Sequence, residues 1–151
     1  EQIRESVIYG MFGRQVNICD GRYTYFRSAI RPDNQPLSIY TAMPSTICHY
    51  WDYDHLTDVS KIEAGPFLSY TNYPVFRIPN TITKFGNDSQ NFEARYTVIA
   101  QNLLFDLQND PHQEHPICDP TLEQEMCEKL SRAMRRHDSP QEQYIRLGLM
   151  P

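Results

Sequence analysis

The densest group of side chains suited to chemistry lies between positions 106 and 119. It comprises Asp106, Asp110, His112, Glu114, His115, Cys118 and Asp119. His112 and His115 are three positions apart and Cys118 follows three later, a set of ligand types that would suit a transition metal. The zinc-binding spacings of high specificity are absent, and Pro111 and Pro116 interrupt the stretch. We therefore expect a connector whose carboxylates close turns and cap the helix that follows.

A second candidate is the adjacent pair Cys48 and His49, with Asp52, Asp54 and His55 nearby. A cysteine nucleophile needs a positioned base, a third group that orients the base, and an oxyanion donor. The sequence does not show these groups together. We expect a loop with a buried thiol and surface histidines.

Aromatic and arginine side chains form a third set with two interpretations. The aromatic members are Tyr23, Tyr25, Tyr40, Tyr50, Trp51, Tyr53, Tyr70 and Tyr73. Exposed rings can stack on sugars, although aromatic residues in sheets more often form the core or cross-strand pairs. Arg14, Arg22 and Arg27 can bind sulfate or phosphate through bidentate contacts, or they can form an exposed polar rim.

The element that must position these arginines is a hairpin around Asp20 and Gly21. This pair lies between two alternating runs, which predicts a type I′ turn with a two-residue loop. The predicted partners are Cys19 with Arg22, Ile18 with Tyr23, Asn17 with Thr24 and Val16 with Tyr25. The apolar members of these pairs then share one face, whereas Asn17, Thr24 and Arg22 lie mostly on the other, where Phe26 is the apolar exception.

Further strands are expected to extend this hairpin. The pattern predicts strands in 6–12, 37–42 and 103–107, with 97–100 either pairing with the last or continuing into it, and a loop at 31–36. Within 67–78, Pro74 favours an edge strand or an extended loop.

The C-terminal part is typical of helices. Asp119 is a strong N-cap directly before Pro120, and apolar residues then recur at helical spacing, namely Leu122, Met126, Leu130, Ala133 and Met134. A capping box at 139–142 predicts a second helix, which Gly148 ends. We expect an α+β fold and a single domain over 1–151, in which a small antiparallel sheet of about four strands packs against one long C-terminal helix and a short terminal helix.

Composition narrows the possible partners. The 151 residues carry a net charge of −5, which disfavours nucleic acid as a partner, and the sequence lacks the ~18-residue apolar run of a membrane span. The four cysteines, Cys19, Cys48, Cys118 and Cys127, form no C-x-x-C pair, so we expect free thiols and a cytoplasmic location. The chain begins without methionine or signal-peptide character, which suggests a fragment or a processed product.

Short landmarks along nearly the whole chain resemble the C-terminal region of bacterial type I sulfatases, which belong to the alkaline phosphatase superfamily. They lie at 9–13, 16–25, 34–37, 40–44, 65–67, 103–107, 110–111, 113–116, 139–140, 142–144 and 146–149. Each landmark is weak alone, and their order makes the set specific.

The resemblance implies a parent enzyme that hydrolyses sulfate esters, or phosphate or phosphonate esters in related members. Such enzymes use a formylglycine, made from the cysteine of C-x-P-S-R or from a serine, and a divalent cation, usually calcium, in a larger N-terminal domain. No cysteine of this chain lies in that motif. The resemblance therefore implies a non-catalytic C-terminal domain that has no cofactor, is inactive alone, and has the catalytic N-terminal domain of the parent as its partner.

The family loop that often reads F-G-G is Phe12-Gly13-Arg14 here, and the histidine common near Arg4 is missing. We expect Arg14 and Arg22 to lie nearest a substrate, with no catalytic or metal-binding residue in this chain. The alternative is a free-standing binding module for an anionic sugar or another anionic ligand.

Overall fold

The computed structural model of the protein describes residues 4–43, 59–79 and 101–151. The strands are β1 (Val7–Gly10), β2 (Val16–Cys19), β3 (Tyr23–Arg27), β4 (Ser38–Thr41), β5 (Glu63–Gly65), β6 (Val75–Pro79) and β7 (Leu103–Asp106). A 3-10 turn covers Val59–Lys61, and the helices are α1 (Pro120–Arg136) and α2 (Gln141–Leu147). The expected α+β class is confirmed. The four-stranded antiparallel sheet has the order β1-β2-β3-β7, and a second sheet, which the sequence did not predict, has the order β4-β6-β5.

The hairpin between β2 and β3 is present, but its predicted pairing is wrong by two positions. Ile18 lies opposite Tyr25, and Cys19 lies opposite Thr24. A shift of two keeps every side chain on its predicted face, because neighbouring residues of a strand alternate between the two faces. The apolar face is therefore as predicted.

The turn itself explains the shift. Asp20 is in the pair that closes the loop, because its N–H donates to the Tyr23 carbonyl at 3.1 Å. Its carboxylate accepts from the N–H groups of Arg22 and Tyr23 at 3.1 and 2.8 Å. The two loop residues are therefore Gly21 and Arg22, and Gly21 has a φ of +96° at the first of them, where a type II′ turn places glycine.

Helix α1 covers the apolar face of the four-stranded sheet, as expected. The buried core consists of Ile18, Tyr25, Leu104, Met126, Leu130, Met134, Tyr144 and Leu147. The predicted N-cap is confirmed, since the Asp119 carboxylate accepts from the N–H groups of Thr121 and Leu122. Burial of these side chains supplies the main stabilisation of the helix, because apolar area removed from water is worth roughly 25 cal/mol per Å².

The second sheet corrects two expectations. The predicted strand at 37–42 exists as β4, but it pairs with β6 rather than with the hairpin. β6 is the central strand of its sheet, so the edge-strand interpretation is wrong. Pro74 immediately precedes the first residue of β6 and therefore removes no ladder hydrogen bond.

Helix α2 begins differently from the prediction. The N-cap is Pro140 and has no side-chain cap, so the capping box is wrong. The Glu142 carboxylate instead accepts from the N–H and the hydroxyl of Ser38, at 2.7 and 2.9 Å. This contact attaches α2 to the second sheet. Gly148 ends the helix in the left-handed conformation, as predicted.

Three expectations are confirmed outright: the strand within 6–12, the loop at 31–36 and the strand within 103–107. The predicted segment at 97–100 and the group around Cys48 and His49 lie outside the described residues.

Candidate functional site

The loop that joins β1 to β2 is the candidate site; residues 11–15 are called the Arg14 loop below. The Arg14 N–H donates to the Met11 carbonyl at 3.0 Å and closes the turn. Gly13 lies inside it with a φ of +69°, a conformation that favours glycine. Met11 and Phe12 stay about half exposed, so the loop presents apolar surface at one end of the sheet.

A buried arginine from α2 holds this loop. Arg146 is only 2% exposed, and its two terminal nitrogens each donate to the Arg14 carbonyl at 3.2 Å. One of them also donates to the Asn34 Oδ1 at 2.8 Å, and the Nε donates to the Gln143 Oε1 at 2.9 Å. Asn34 in turn donates its amide to the Gly13 carbonyl at 2.7 Å. Two consecutive carbonyls of the Arg14 loop are thus fixed by side chains distant in sequence.

The charge of Arg146 is unusually costly to bury. Burial lowers the pKa of Arg146 to about 10, partly offset by the negative charge of Glu142. The side chain therefore remains a cation at neutral pH. Its hydrogen-bond partners in the described part of the chain are neutral oxygens, which compensate lost hydration less fully than a carboxylate would. Arg146 contributes a fixed geometry, because its planar guanidinium holds its N–H donors in set directions.

Arg22 lies at the opposite end of the sheet, in the hairpin turn. Its guanidinium donates to the Asp106 carboxylate at 3.1 Å and stands over the Tyr23 ring at 4.7 Å. The hydrogen bond to Asp106 raises the pKa of Arg22, and the same bond lowers the pKa of Asp106. This pair joins the hairpin turn to the last residue of β7 at the surface.

The structure does not bring Arg14 and Arg22 together. They flank opposite ends of β2, whose four residues alone span about 10 Å. The structure therefore gives no single cluster of these two arginines in one loop.

Arg27 has a structural role. It donates to the Leu147 carbonyl at 2.8 Å and to the Tyr25 hydroxyl at 3.1 Å. That hydroxyl donates to the Glu123 carboxylate at 2.6 Å, and burial raises the pKa of Tyr25. The three side chains join β3, α1 and the end of α2.

The stretch from 106 to 119 is the expected connector. Asp106 accepts from the Gln108 N–H, and Asp110 accepts from the N–H groups of Glu114 and His115 at 3.1 and 2.8 Å. The hydrogen bond from the His115 backbone N–H, with further backbone hydrogen bonds from Glu114 and Gln113, lowers the pKa of Asp110. Within residues 4–43, 59–79 and 101–151, no group of three or more ligand-type side chains could hold a metal ion.

The aromatic residues divide between structural and exposed positions. Tyr25 is in the core, whereas Tyr70 and Tyr73 are exposed. On the sheet face away from α1, Phe26 makes edge-to-face contacts with Tyr9 and Phe105, with ring centroids 6.1 and 5.9 Å apart. The sequence placed Phe26 on this face but did not predict its two ring partners.

Sequence reasoning did not identify Arg146 or Asn34 as parts of the site. An arginine in the last turn of a short helix is usually a surface partner of the helix dipole. Asn34 carried a weak signal, because asparagine tolerates the positive φ of 57° that it adopts in this loop.

Comparison with known proteins adds no relative: no family model, no curated protein and no solved structure matches this chain. None of the helices in the described part of the chain has the length and apolar character needed to cross a membrane.

Proposed function

We propose that this chain is the non-catalytic C-terminal domain of a sulfatase, a sulfuric ester hydrolase. In this proposal it packs on the catalytic domain of its parent and contributes the Arg14 loop to the substrate entrance. The formylglycine and the divalent cation of such an enzyme would be supplied by the catalytic domain.

The observation that carries the proposal is the convergence of separate landmarks. Gly13, Asn34 and Arg146 belong to three landmarks far apart in the sequence, and they meet in one hydrogen-bonded node. Ser38 and Glu142 join next to them through the contact between β4 and α2. These segments, which are distant in the sequence, therefore share one spatial role, and this supports the proposal that they form one unit.

The exposed apolar surface also supports docking on a larger domain. Val7 and Tyr9 on β1, followed by Met11 and Phe12 in the Arg14 loop, are all between two-fifths and one-half exposed. Apolar surface concentrated along one edge of a sheet is typical of an interface. In the proposed parent, this edge contacts the catalytic domain and places the loop beside the substrate.

Aryl sulfate hydrolysis tests this proposal. The chain alone is expected to give no turnover, whereas a parent in which it follows a catalytic domain is expected to hydrolyse the ester. In that parent, Arg14→Ala should raise the KM by about tenfold, the effect of losing one charge-assisted hydrogen bond of about 1.4 kcal/mol. Arg136→Ala, at an exposed position near the end of α1, is the matched control. Turnover by the isolated chain would contradict the proposal.

The alternative, a free-standing module that binds an anionic sugar, is favoured by one observation. Tyr70 and Tyr73 are exposed, and the Arg22 guanidinium is accessible beside the Tyr23 ring. Titration calorimetry with sulfated and unsulfated glycans distinguishes the two functions. Micromolar binding of the sulfated glycan by the chain alone would favour the module.

A further inference from the structure

We propose that Arg146 is a positioning residue that sets the conformation of the Arg14 loop, so that α2 controls the loop that meets the substrate. The inference rests on the proposed function for its substrate, and on the described contacts for its mechanism. It assigns a role to a residue in the chain's last helix that lies 132 positions from Arg14.

Arg146 binds acceptors that define the backbone of the Arg14 loop. Arg146 donates to the Arg14 carbonyl from both terminal nitrogens and to Asn34, which itself holds the Gly13 carbonyl. The Gly13–Arg14 and Arg14–Gln15 peptide units, which flank the Arg14 Cα, are therefore oriented by one guanidinium and its partner Asn34. A change of φ or ψ at Arg14 would break at least one of these bonds.

Arg146 is itself held in one orientation by two further contacts. Gln143 accepts from its Nε at 2.9 Å, one helical turn earlier on α2. The Ile30 N–H donates to the Arg146 carbonyl at 2.9 Å, which fixes the backbone of the same residue against the chain that leads to Asn34. These two contacts thus orient the Arg146 guanidinium toward the loop.

A buried cation that binds neutral oxygens contributes little net stability compared with an apolar residue of similar size. Its distinctive property is directional, because the planar guanidinium offers donors in a fixed geometry. A requirement for one loop conformation accounts for an arginine at this position.

Amide hydrogen exchange, measured by NMR on the whole chain, tests the mechanism. In Arg146→Met, the Arg14 N–H that bonds to Met11 should exchange at least about tenfold faster, because three charge-assisted bonds to the node are lost. Core amides such as that of Tyr25 should keep their protection. Arg136→Met is the matched control and should change neither.

Two further variants separate geometry from charge and from global stability. Arg146→Lys keeps the charge without the fork and should release the loop nearly as much as Arg146→Met. Asn34→Gly removes the side-chain link while tolerating the positive φ, and should release the loop in a chain that retains Arg146. Equal acceleration of loop and core amides, or full protection in Arg146→Lys, would overturn the positioning role.

The effect of Arg146 on substrate binding is measured separately, in the parent enzyme. Arg146→Met should raise the KM for an aryl sulfate with little change in kcat, because it moves a binding loop and no reacting group. A released loop with an unchanged KM would contradict the substrate-facing position given by the proposed function, and would leave the positioning mechanism intact. A fall in kcat alone would overturn the inference that Arg146 acts through binding.

Discussion

Glu142 and Arg146 are one helical turn apart on α2, and each binds a residue of the first forty positions. Glu142 accepts from Ser38, and Arg146 donates to Arg14 and Asn34. The two side chains have opposite charges and serve different parts of the chain, the second sheet and the Arg14 loop. Their pairing makes a seven-residue helix the junction between these parts.

Substitution of Glu142 by glutamine measures the link to the second sheet. Glutamine keeps the length but replaces a charge-assisted acceptor that receives two hydrogen bonds from Ser38. We expect Glu142→Gln to lower the free energy of unfolding by about 1–2 kcal/mol, determined by urea denaturation. Glu125→Gln, on the exposed side of α1, is the control and should change stability by less than about 0.5 kcal/mol. Equal effects of the two variants would show that the Ser38 contact is not stabilising.

These two residues also show where sequence reasoning ends. The pattern correctly placed Glu142 in the first turn of a helix, where it would normally cap the helix or complement its dipole. Its actual partner is 104 positions away, and no local pattern encodes that distance. The site depends on such long-range contacts, so Arg14 was predicted and the residues that hold it were not.

At the scale of elements, local patterns predicted more. The hairpin, β7, α1 and the end of α2 were all identified, because alternation, caps and glycine positions are encoded in neighbouring residues. The errors arose where the local sequence is compatible with more than one structure. In the hairpin, the Asp20 carboxylate accepts from the N–H groups of Arg22 and Tyr23 and from Lys129 at 2.5 Å. These contacts centre the turn one residue later than predicted, which shifts the pairing of the two strands by two positions. The sequence alone does not show that the folded chain places Lys129 beside the turn.

The end of α2 gives a sharp test of backbone strain. Gly148 has a φ of +62°, and a Cβ there would lie 2.7 Å from the Ile30 Cγ2. We expect Gly148→Ala to lower the melting temperature, with a cost of about 1–2 kcal/mol from the left-handed conformation and the steric contact.

A second change separates the two causes. Ile30→Ala is expected to have a small effect alone, because the side chain is exposed, and to recover the steric part of the loss in the double variant. Additive losses in the double-mutant cycle would contradict a clash with Ile30.

At the scale of the whole molecule, acidic turns make stability dependent on pH. The pKa values of Asp106, Asp110 and Asp138 lie below the ordinary 3.8, because hydrogen bonds from Arg22, His115 and Ser69 respectively favour the ionised form. The pKa of Asp20 is also lowered. Burial acts to raise it, but the hydrogen bonds from Lys129 and from the turn outweigh that effect.

Stability should therefore decline on acidification. A carboxyl whose folded pKa lies below its unfolded value contributes stability that is present above the unfolded value and is lost as the pH falls through the folded one. We expect the urea midpoint to be constant near neutral pH and to fall below about pH 4. Asp20→Asn should lower the midpoint at neutral pH and reduce its pH dependence. An unchanged slope in that variant would exclude Asp20 as a contributor.

The contact between Arg146 and the Arg14 carbonyl also has a consequence for the order of folding. The two residues are 132 positions apart, so the loop and its clamp are at nearly opposite ends of the described sequence. During synthesis, β2 and β3 are made before α2, so the Arg14 loop can reach its clamped conformation only after α2 has been made. Of these two segments, the one that is synthesised earlier therefore acquires its final conformation later. A chain that ends before α2 would lack the hydrogen bonds from Arg146 that fix this loop.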